Sequence, residues 1–209
     1  MMHGSSLWVA LCVGAAGALA MLALYDREIS PAFSQETLRP ANSFARITDV
    51  RTRSIALFEE AGKVLQHPRC VNCHPSTERP RQTDSRRLHL PLVVRGADGH
   101  GAPGMRCTTC HHSDNFDSAG IPGNEHWGLA PQSMAWEGRS LGQICEQLKD
   151  PARTGNRDLA AILKHVVTDS LVLWAWSPGR GRNPAPGTNA QFGELLRGWA
   201  ESGAHCPTP

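Results

Sequence analysis

The chain contains the pentapeptide Cys-x-x-Cys-His twice, at residues 70–74 and again at residues 107–111. Two thiols at this spacing can form thioethers to both vinyl groups of one porphyrin, while the adjacent imidazole reaches its iron. Each copy therefore predicts one covalently bound haem c and one axial ligand. The predicted thioether residues are Cys70, Cys73, Cys107 and Cys110, and the predicted proximal ligands are His74 and His111.

Two other uses of paired cysteines compete with haem attachment. Four thiolates could bind one zinc ion, but zinc ribbons usually separate their pairs by about 15–20 residues, and the gap from Cys73 to Cys107 is roughly twice that. A thioredoxin-like redox pair requires a βαβ context, whereas loops rich in Gly and Pro surround these cysteines. Only haem explains the histidine that follows both pairs.

The N-terminus carries an export or anchoring segment. The first 25 residues contain no Asp, Glu, Lys or Arg, and residues 7–25 are almost entirely apolar. As a helix this run would extend about 28 Å, close to the hydrocarbon core of a bilayer at about 30 Å. We therefore expect residues 1–25 to be a cleaved signal peptide or a retained membrane anchor, and residues 26–42 to be a tether. Either outcome places a di-haem domain, residues 43–209, in the periplasm.

The composition and the remaining cysteines further limit which class of protein this chain can belong to. A formal net charge of +2 and 40% hydrophobic residues give no signature of a nucleic-acid partner. Of the seven cysteines, four belong to the motifs and Cys12 lies in the apolar run, which leaves Cys145 and Cys206. An even remainder in an oxidising compartment predicts a disulfide, with two buried free thiols as the alternative.

Hydrophobic periodicity predicts a mainly α fold with long Gly/Pro-rich loops, in which covalent haems form part of the core. A helix with Ser43 as its N-cap delivers the chain to the first motif, and residues 75–137 form a loop-rich wrapper. Further helices are predicted to follow Ser140, Asn156 and Asn189, and Gly203 is predicted to end the last of them.

The second axial ligand of each iron is less constrained by sequence. His89 lies 19 residues after Cys70, as His126 lies 19 residues after Cys107, so this offset nominates both as distal ligands. Met134, in a loop beyond the second motif, and His165, with Asp169 one turn later, are the alternatives. Bis-histidine ligation would leave neither iron open, which favours electron transfer over chemistry on a substrate.

Several short runs outside the motifs resemble a group of small bacterial di-haem c-type cytochromes: His-Pro-Arg-Cys at 67–70, Arg-Gly-Ala-Asp-Gly at 95–99, Leu-Ala-Pro at 129–131 and Trp-Ala-Trp-Ser-Pro-Gly at 174–179. Proteins of that group are labelled as subunits associated with isoquinoline 1-oxidoreductase-type molybdenum hydroxylases. The resemblance implies an electron acceptor for such a periplasmic enzyme, since no residues here fit a molybdopterin-binding pattern.

The function expected from these observations is transfer of single electrons between a redox enzyme and a respiratory chain. The partners would then be a redox donor and a redox acceptor, and the protein itself would be an electron carrier or a cytochrome subunit rather than an enzyme. A small di-haem peroxidase is the alternative among haem enzymes, although those resemble longer chains with widely separated motifs. A haem-based ligand sensor is a third class.

Overall fold

Short helices and long connecting loops make up the part of the chain that the computed structural model describes, residues 35–209. The α-helices are α1 (Val50–Leu65), α2 (Pro68–Val71), α3 (Leu141–Leu148), α4 (Leu159–Thr168), α5 (Ser170–Leu173) and α6 (Asn189–Glu201). Shorter 3₁₀ turns lie at Ala41–Phe44, Cys107–Thr109, Asp117–Ala119, Gln132–Met134 and Trp174–Trp176. The prediction of a mainly α fold is confirmed. The export segment and Cys12 lie outside the described residues.

Two small hairpins interrupt the loops between the helices. Strand β1 (Arg81–Gln82) pairs antiparallel with β2 (Arg87–Leu88), with Arg81 opposite Leu88. Strand β3 (Gly101–Ala102) pairs antiparallel with β4 (Met105–Arg106), directly before the second motif. Two-residue strands contribute little stability by themselves. Their role is to fix where the chain re-enters the neighbourhood of each motif.

The apolar core lies between α1 and α6. Phe58 of α1 is fully buried and contacts Trp199 of α6, with ring centroids 4.7 Å apart. The indole N–H of Trp199 donates to the backbone oxygen of His205, so the polar edge of this buried ring has a partner. Gly193 allows α6 to approach α4, because a Cβ there would collide with Val167. This packing holds the end of α1 where α2 and the first motif begin.

The helix ends differ from the sequence prediction by a few residues. Ser140 caps α3 as predicted, in a reciprocal capping box with Gln143. Helix α1 begins at Val50 rather than after Ser43, because the Asp49 carboxylate accepts the Thr52 N–H and ends the preceding irregular stretch. Asp158 caps α4 in place of Asn156, whose φ of +61° keeps it outside the helix. Thr188 caps α6 in place of Asn189.

The C-terminal end of α6 follows the prediction. Gly203 adopts a φ of +97°, the left-handed conformation that lets the chain leave a helix and that glycine tolerates best.

Residues 35–42, expected to be the end of a tether, contact the core. The side chain of Leu38 is 4% exposed and belongs to the apolar cluster. The Arg39 N–H donates to the Glu60 carboxylate, and the Glu36 carbonyl accepts from the Gly187 N–H at 2.8 Å. The compact unit accordingly begins at Gln35 rather than at Ser43.

Cys145 and Cys206 pair as a disulfide, as the cysteine count predicts. The bond joins α3 to the segment that follows α6.

Between residues 35 and 209, no single helix is both long enough and apolar enough to cross a membrane. Only α4 together with Ser170–Trp176 meets the requirement by length and composition, and these two pieces are bent by 55°.

Removing the disulfide should lower the free energy of unfolding substantially. The bond closes a loop with a sequence separation of 61 residues, so the chain-entropy model gives a contribution of about 4 kcal/mol. We expect the double variant Cys145→Ala/Cys206→Ala to unfold at lower urea concentration than the wild type. Reductant should shift the wild type toward the variant and leave the variant unchanged; an unshifted wild-type midpoint would contradict the prediction.

Candidate functional site

The first Cys-x-x-Cys-His segment lies on one helical turn. His67 caps α2, its Nδ1 accepting the Arg69 N–H at 3.2 Å, and Pro68 occupies the first turn, where its missing N–H costs nothing. The turn continues past Cys70, because the His74 N–H donates to the Cys70 carbonyl at 3.2 Å. Both thiols and the imidazole therefore project from a single turn.

The second segment reaches the same arrangement from a different start. Strand β4 leads into the 3₁₀ turn Cys107–Thr109, and the His111 N–H donates to the Cys107 carbonyl at 2.9 Å. This is the same bond from histidine to first cysteine that the first copy makes. The two copies therefore share a backbone hydrogen bond as well as a sequence pattern.

Both motif histidines present the same nitrogen to a backbone carbonyl. Nδ1 of His74 lies 2.7 Å from the Met134 oxygen, and Nδ1 of His111 lies 2.7 Å from the Pro122 oxygen. A carbonyl only accepts hydrogen bonds, so Nδ1 carries the proton and Nε2 keeps a lone pair. This tautomer is the one that a metal-ligating histidine adopts when its other nitrogen is oriented by a carbonyl.

A tryptophan stacks on each of these imidazoles. The Trp136 ring lies parallel to His74, with centroids 3.6 Å apart and planes 7° apart. The Trp127 ring lies over His111 at 4.5 Å and 11°. Trp174 in turn meets Trp127 edge-on at 4.9 Å. The stacked ring and the hydrogen bond together fix both the position and the rotation of each imidazole.

The pKa values show that both imidazoles are neutral near pH 7. Burial lowers the pKa of His74 to about 4, against the opposing effect of its hydrogen bond to Met134. Burial also lowers the pKa of His111, again opposed by its carbonyl partner. Neutral imidazole is the form that binds a metal.

The motif thiols lack the character of a redox-active pair. Burial, together with the charge on Cys73, raises the pKa of the Cys70 thiol to about 12. Burial raises the pKa of Cys73 to about 11 and that of Cys107 as well. Reactive dithiols depend instead on a lowered thiol pKa. Within residues 35–209 no three His, Cys, Asp or Glu side chains gather as a metal-binding group.

Backbone hydrogen bonds through residues 129–130 connect the two motifs. The Ala130 N–H donates to the Cys73 carbonyl at 3.0 Å, the Leu129 N–H donates to the Gly99 carbonyl at 2.8 Å, and the Cys107 N–H donates to the His100 carbonyl at 3.0 Å. Cys107 contributes to the raised pKa of Cys73, although the two belong to different copies. Arg182 contributes to the lowered pKa values of both Arg69 and His111. Two cofactors bound here would be close neighbours.

The arginine before each motif is ion-paired with an aspartate. Arg69 pairs with Asp84, and Arg106 contacts both carboxylate oxygens of Asp98, at 3.1 and 2.8 Å. Arg106 is thus occupied by its aspartate. Arg95 is 5% exposed and donates to the carbonyls of Pro75, Thr77 and Ala130, so its role is to hold loops together.

Buried polar atoms without a partner and exposed apolar side chains beside the motifs would suit contact with a haem. Three buried polar atoms at the first motif have no hydrogen-bond partner among the described residues: Arg69 Nε, Asn72 Oδ1 and Trp136 Nε1. Two of them are donors, as a propionate requires. Large apolar side chains are exposed around the second motif and in the loop before it: Leu88, Leu90, Leu92, Val94, Met105 and Phe116. Such surface is suited to contact a porphyrin.

The candidate distal ligands occupy different surroundings. The ring of His89 lies close to His111 of the second motif, with centroids 5.9 Å apart, and not to His74 of the first motif, which precedes it in the chain. His126 is exposed, and its backbone N–H donates to Asn124. Met134 is buried in the core, with its backbone oxygen on the Nδ1 side of His74. His165 is half-buried, its Nδ1 is 3.4 Å from the Asp169 carboxylate, and its charge contributes to lowering the pKa of His74.

Sequence reasoning did not identify the carbonyls of Met134 and Pro122 or the stacking roles of Trp136 and Trp127. The separation from histidine to carbonyl is 60 residues in one copy and 11 in the other, so no common spacing could reveal it. One local signal was present: Gly123 follows Pro122, and any Cβ there would collide with the backbone oxygen of Asp114. Glycine is needed for this loop to turn its carbonyl toward His111.

No protein-family model, curated protein or solved structure matches this chain.

Proposed function

We propose that the protein is an exported di-haem c-type cytochrome, with a cytochrome c-like domain, that transfers single electrons between a redox enzyme and a respiratory chain. The observation that carries the proposal is the repeated geometry of His74 and His111. Each follows a Cys-x-x-Cys turn, donates Nδ1–H to a carbonyl at 2.7 Å and stacks on a tryptophan. That combination suits a metal-ligating imidazole, and its position directly after each Cys-x-x-Cys pair suits the proximal ligand of a covalently attached haem.

Each haem would supply a one-electron iron couple, and the protein would supply the attachment and surroundings. Cys70 and Cys73 would hold the first group, and Cys107 and Cys110 the second. The carbonyls that accept from His74 and His111 keep Nε2 unprotonated and increase its basicity. Trp136, which is 7% exposed, keeps water from His74. The backbone hydrogen bonds that connect the two motifs through residues 129–130 support passage of an electron from one haem to the other.

Electron transfer is favoured here over a haem enzyme or a ligand sensor. An enzyme or sensor needs an open iron position, whereas a second imidazole, that of His89, lies beside His111. The electron donor and acceptor remain part of the proposal, with a periplasmic molybdenum hydroxylase as the candidate donor that the sequence resemblance implies. Export follows from residues 1–25, as a cleaved signal or as a membrane anchor.

Counting covalent haems tests the proposal directly. We expect the full chain, matured in a bacterial periplasm, to carry two haems in a pyridine haemochrome assay. Cys70→Ala/Cys73→Ala and Cys107→Ala/Cys110→Ala should each retain one, because each copy attaches one porphyrin. The matched control is Cys145→Ala/Cys206→Ala, which removes two cysteines outside the motifs and should keep both haems. A wild-type protein without covalent haem would refute the proposal.

The tryptophan stacked on His74 should affect one reduction potential. Replacing it by Trp136→Ala admits water beside the buried imidazole, and water stabilises the more highly charged ferric state. We expect the midpoint potential of one haem to fall by roughly tens of millivolts in a potentiometric titration, with the other unchanged. Trp136→Phe keeps an aromatic ring over His74 and should preserve both potentials. Equal potentials in wild type and Trp136→Ala would show that this ring does not control water access.

A further inference from the structure

His89 lies on the chain between the two motifs, yet its ring faces the histidine of the second one. The ring centroids of His89 and His111 are 5.9 Å apart, and their planes are inclined by 62°. At that separation the two rings are not stacked on each other, and Trp127 already covers one face of His111. The two imidazoles instead meet in an edge arrangement, at a separation comparable to that of two imidazoles bound to one metal ion.

The orientation of His89 leaves a nitrogen available for such an atom. Nδ1 of His89 lies 3.1 Å from the Pro91 carbonyl, to which it donates, so Nε2 carries the lone pair. This is the same tautomer that His111 adopts through its bond to Pro122. Both rings are therefore prepared to ligate a metal through Nε2.

The backbone of His89 is held on both sides. Its N–H donates to the Pro80 carbonyl at 3.1 Å, beyond the last pair of the β1–β2 hairpin. Its carbonyl accepts from the Arg79 guanidinium, also at 3.1 Å. The hairpin thus returns the chain to a fixed point and presents the imidazole there.

The separation of the rings agrees with ligation of one iron by both. Bonds from a metal to imidazole nitrogen are about 2 Å long, and the ring centre lies a little over 1 Å further on, so two axial imidazoles have centroids about 6 Å apart. The observed 5.9 Å matches that value. Planes inclined by 62° are compatible with it too, because two imidazoles that bind one iron need not be parallel to each other.

The neighbours of His89 are apolar and exposed. Leu88 is 40% exposed, while Leu90 and Leu92 are each 65% exposed. Apolar side chains flanking a histidine on both sides would contact the face of a porphyrin whose iron that histidine binds. The segment therefore offers a ligand and an apolar wall together.

We propose that His89 is the sixth ligand of the iron attached at the second motif, so that a histidine following the first motif completes the site of the second. The assignment rests on the proposed function, since it requires haem at Cys107 and Cys110. It replaces the assignment by equal offset, which paired His89 with the first motif and His126 with the second. His126 is exposed and lies outside this ring pair.

The test compares iron spin states in two variants of the full two-haem protein. We expect ferric His89→Ala to convert one of its two haems from low spin to high spin in paramagnetic resonance and visible spectra. His126→Ala, the matched control, should keep the wild-type spectrum. In ferric His89→Gly, added imidazole should restore low spin by occupying the space of the lost side chain.

A second arm identifies which haem responds. In the Cys107→Ala/Cys110→Ala background, which keeps only the first haem, His89→Ala should leave the spectrum unchanged; in the Cys70→Ala/Cys73→Ala background it should turn the remaining haem high spin. The assignment is overturned if His89→Ala in the two-haem protein keeps both haems low spin, if His126→Ala causes the conversion, or if the first haem responds. The haemochrome count separates these results from failure of the proposed function, which would leave the wild type itself without covalent haem.

Discussion

A hydrogen bond from imidazole Nδ1 to a backbone carbonyl governs the arrangement around each Cys-x-x-Cys-His turn. It selects the tautomer of His74 and His111, and it ties each turn to a loop elsewhere in the chain. The loop around Met134 is further joined to the first turn by backbone bonds, since the His74 carbonyl accepts from the N–H of Trp136 at 2.9 Å. The stacked tryptophan and the carbonyl that orients His74 are consequently supplied by the same segment.

The helical framework was predictable where apolar periodicity and capping residues coincide. Ser140 followed by Gln143 identified α3 correctly, because the reciprocal side-chain bonds of a capping box are local. The N-termini of α1, α4 and α6 were displaced because several polar residues compete near each start, and tertiary contacts decide among them. Asp49, Asp158 and Thr188 each took the position expected for another residue.

The residues of the site likewise fall into two groups: some are positioned by the local sequence, and others by contacts between distant parts of the chain. The paired cysteines and the histidine that follows them could be read from one pentapeptide, since a single turn positions all of them. The orienting carbonyls, the stacked tryptophans and the approach of His89 to His111 depend on how the loops fold back, and an equal offset along the chain carries no information about that. The loops in turn depend on Arg95, whose buried guanidinium joins the carbonyls of Pro75, Thr77 and Ala130.

The unequal loop lengths behind the two histidine–carbonyl bonds set an order of assembly. Pro122 is 11 residues from His111, so that bond can form as soon as a short stretch of chain is available. Met134 is 60 residues from His74 and lies beyond the whole second motif, so the first bond closes a much longer loop at a greater entropic cost. In a chain that forms from its N-terminus the first motif therefore comes first but is enclosed last. Its thiols stay accessible to solvent for longer than those of the second.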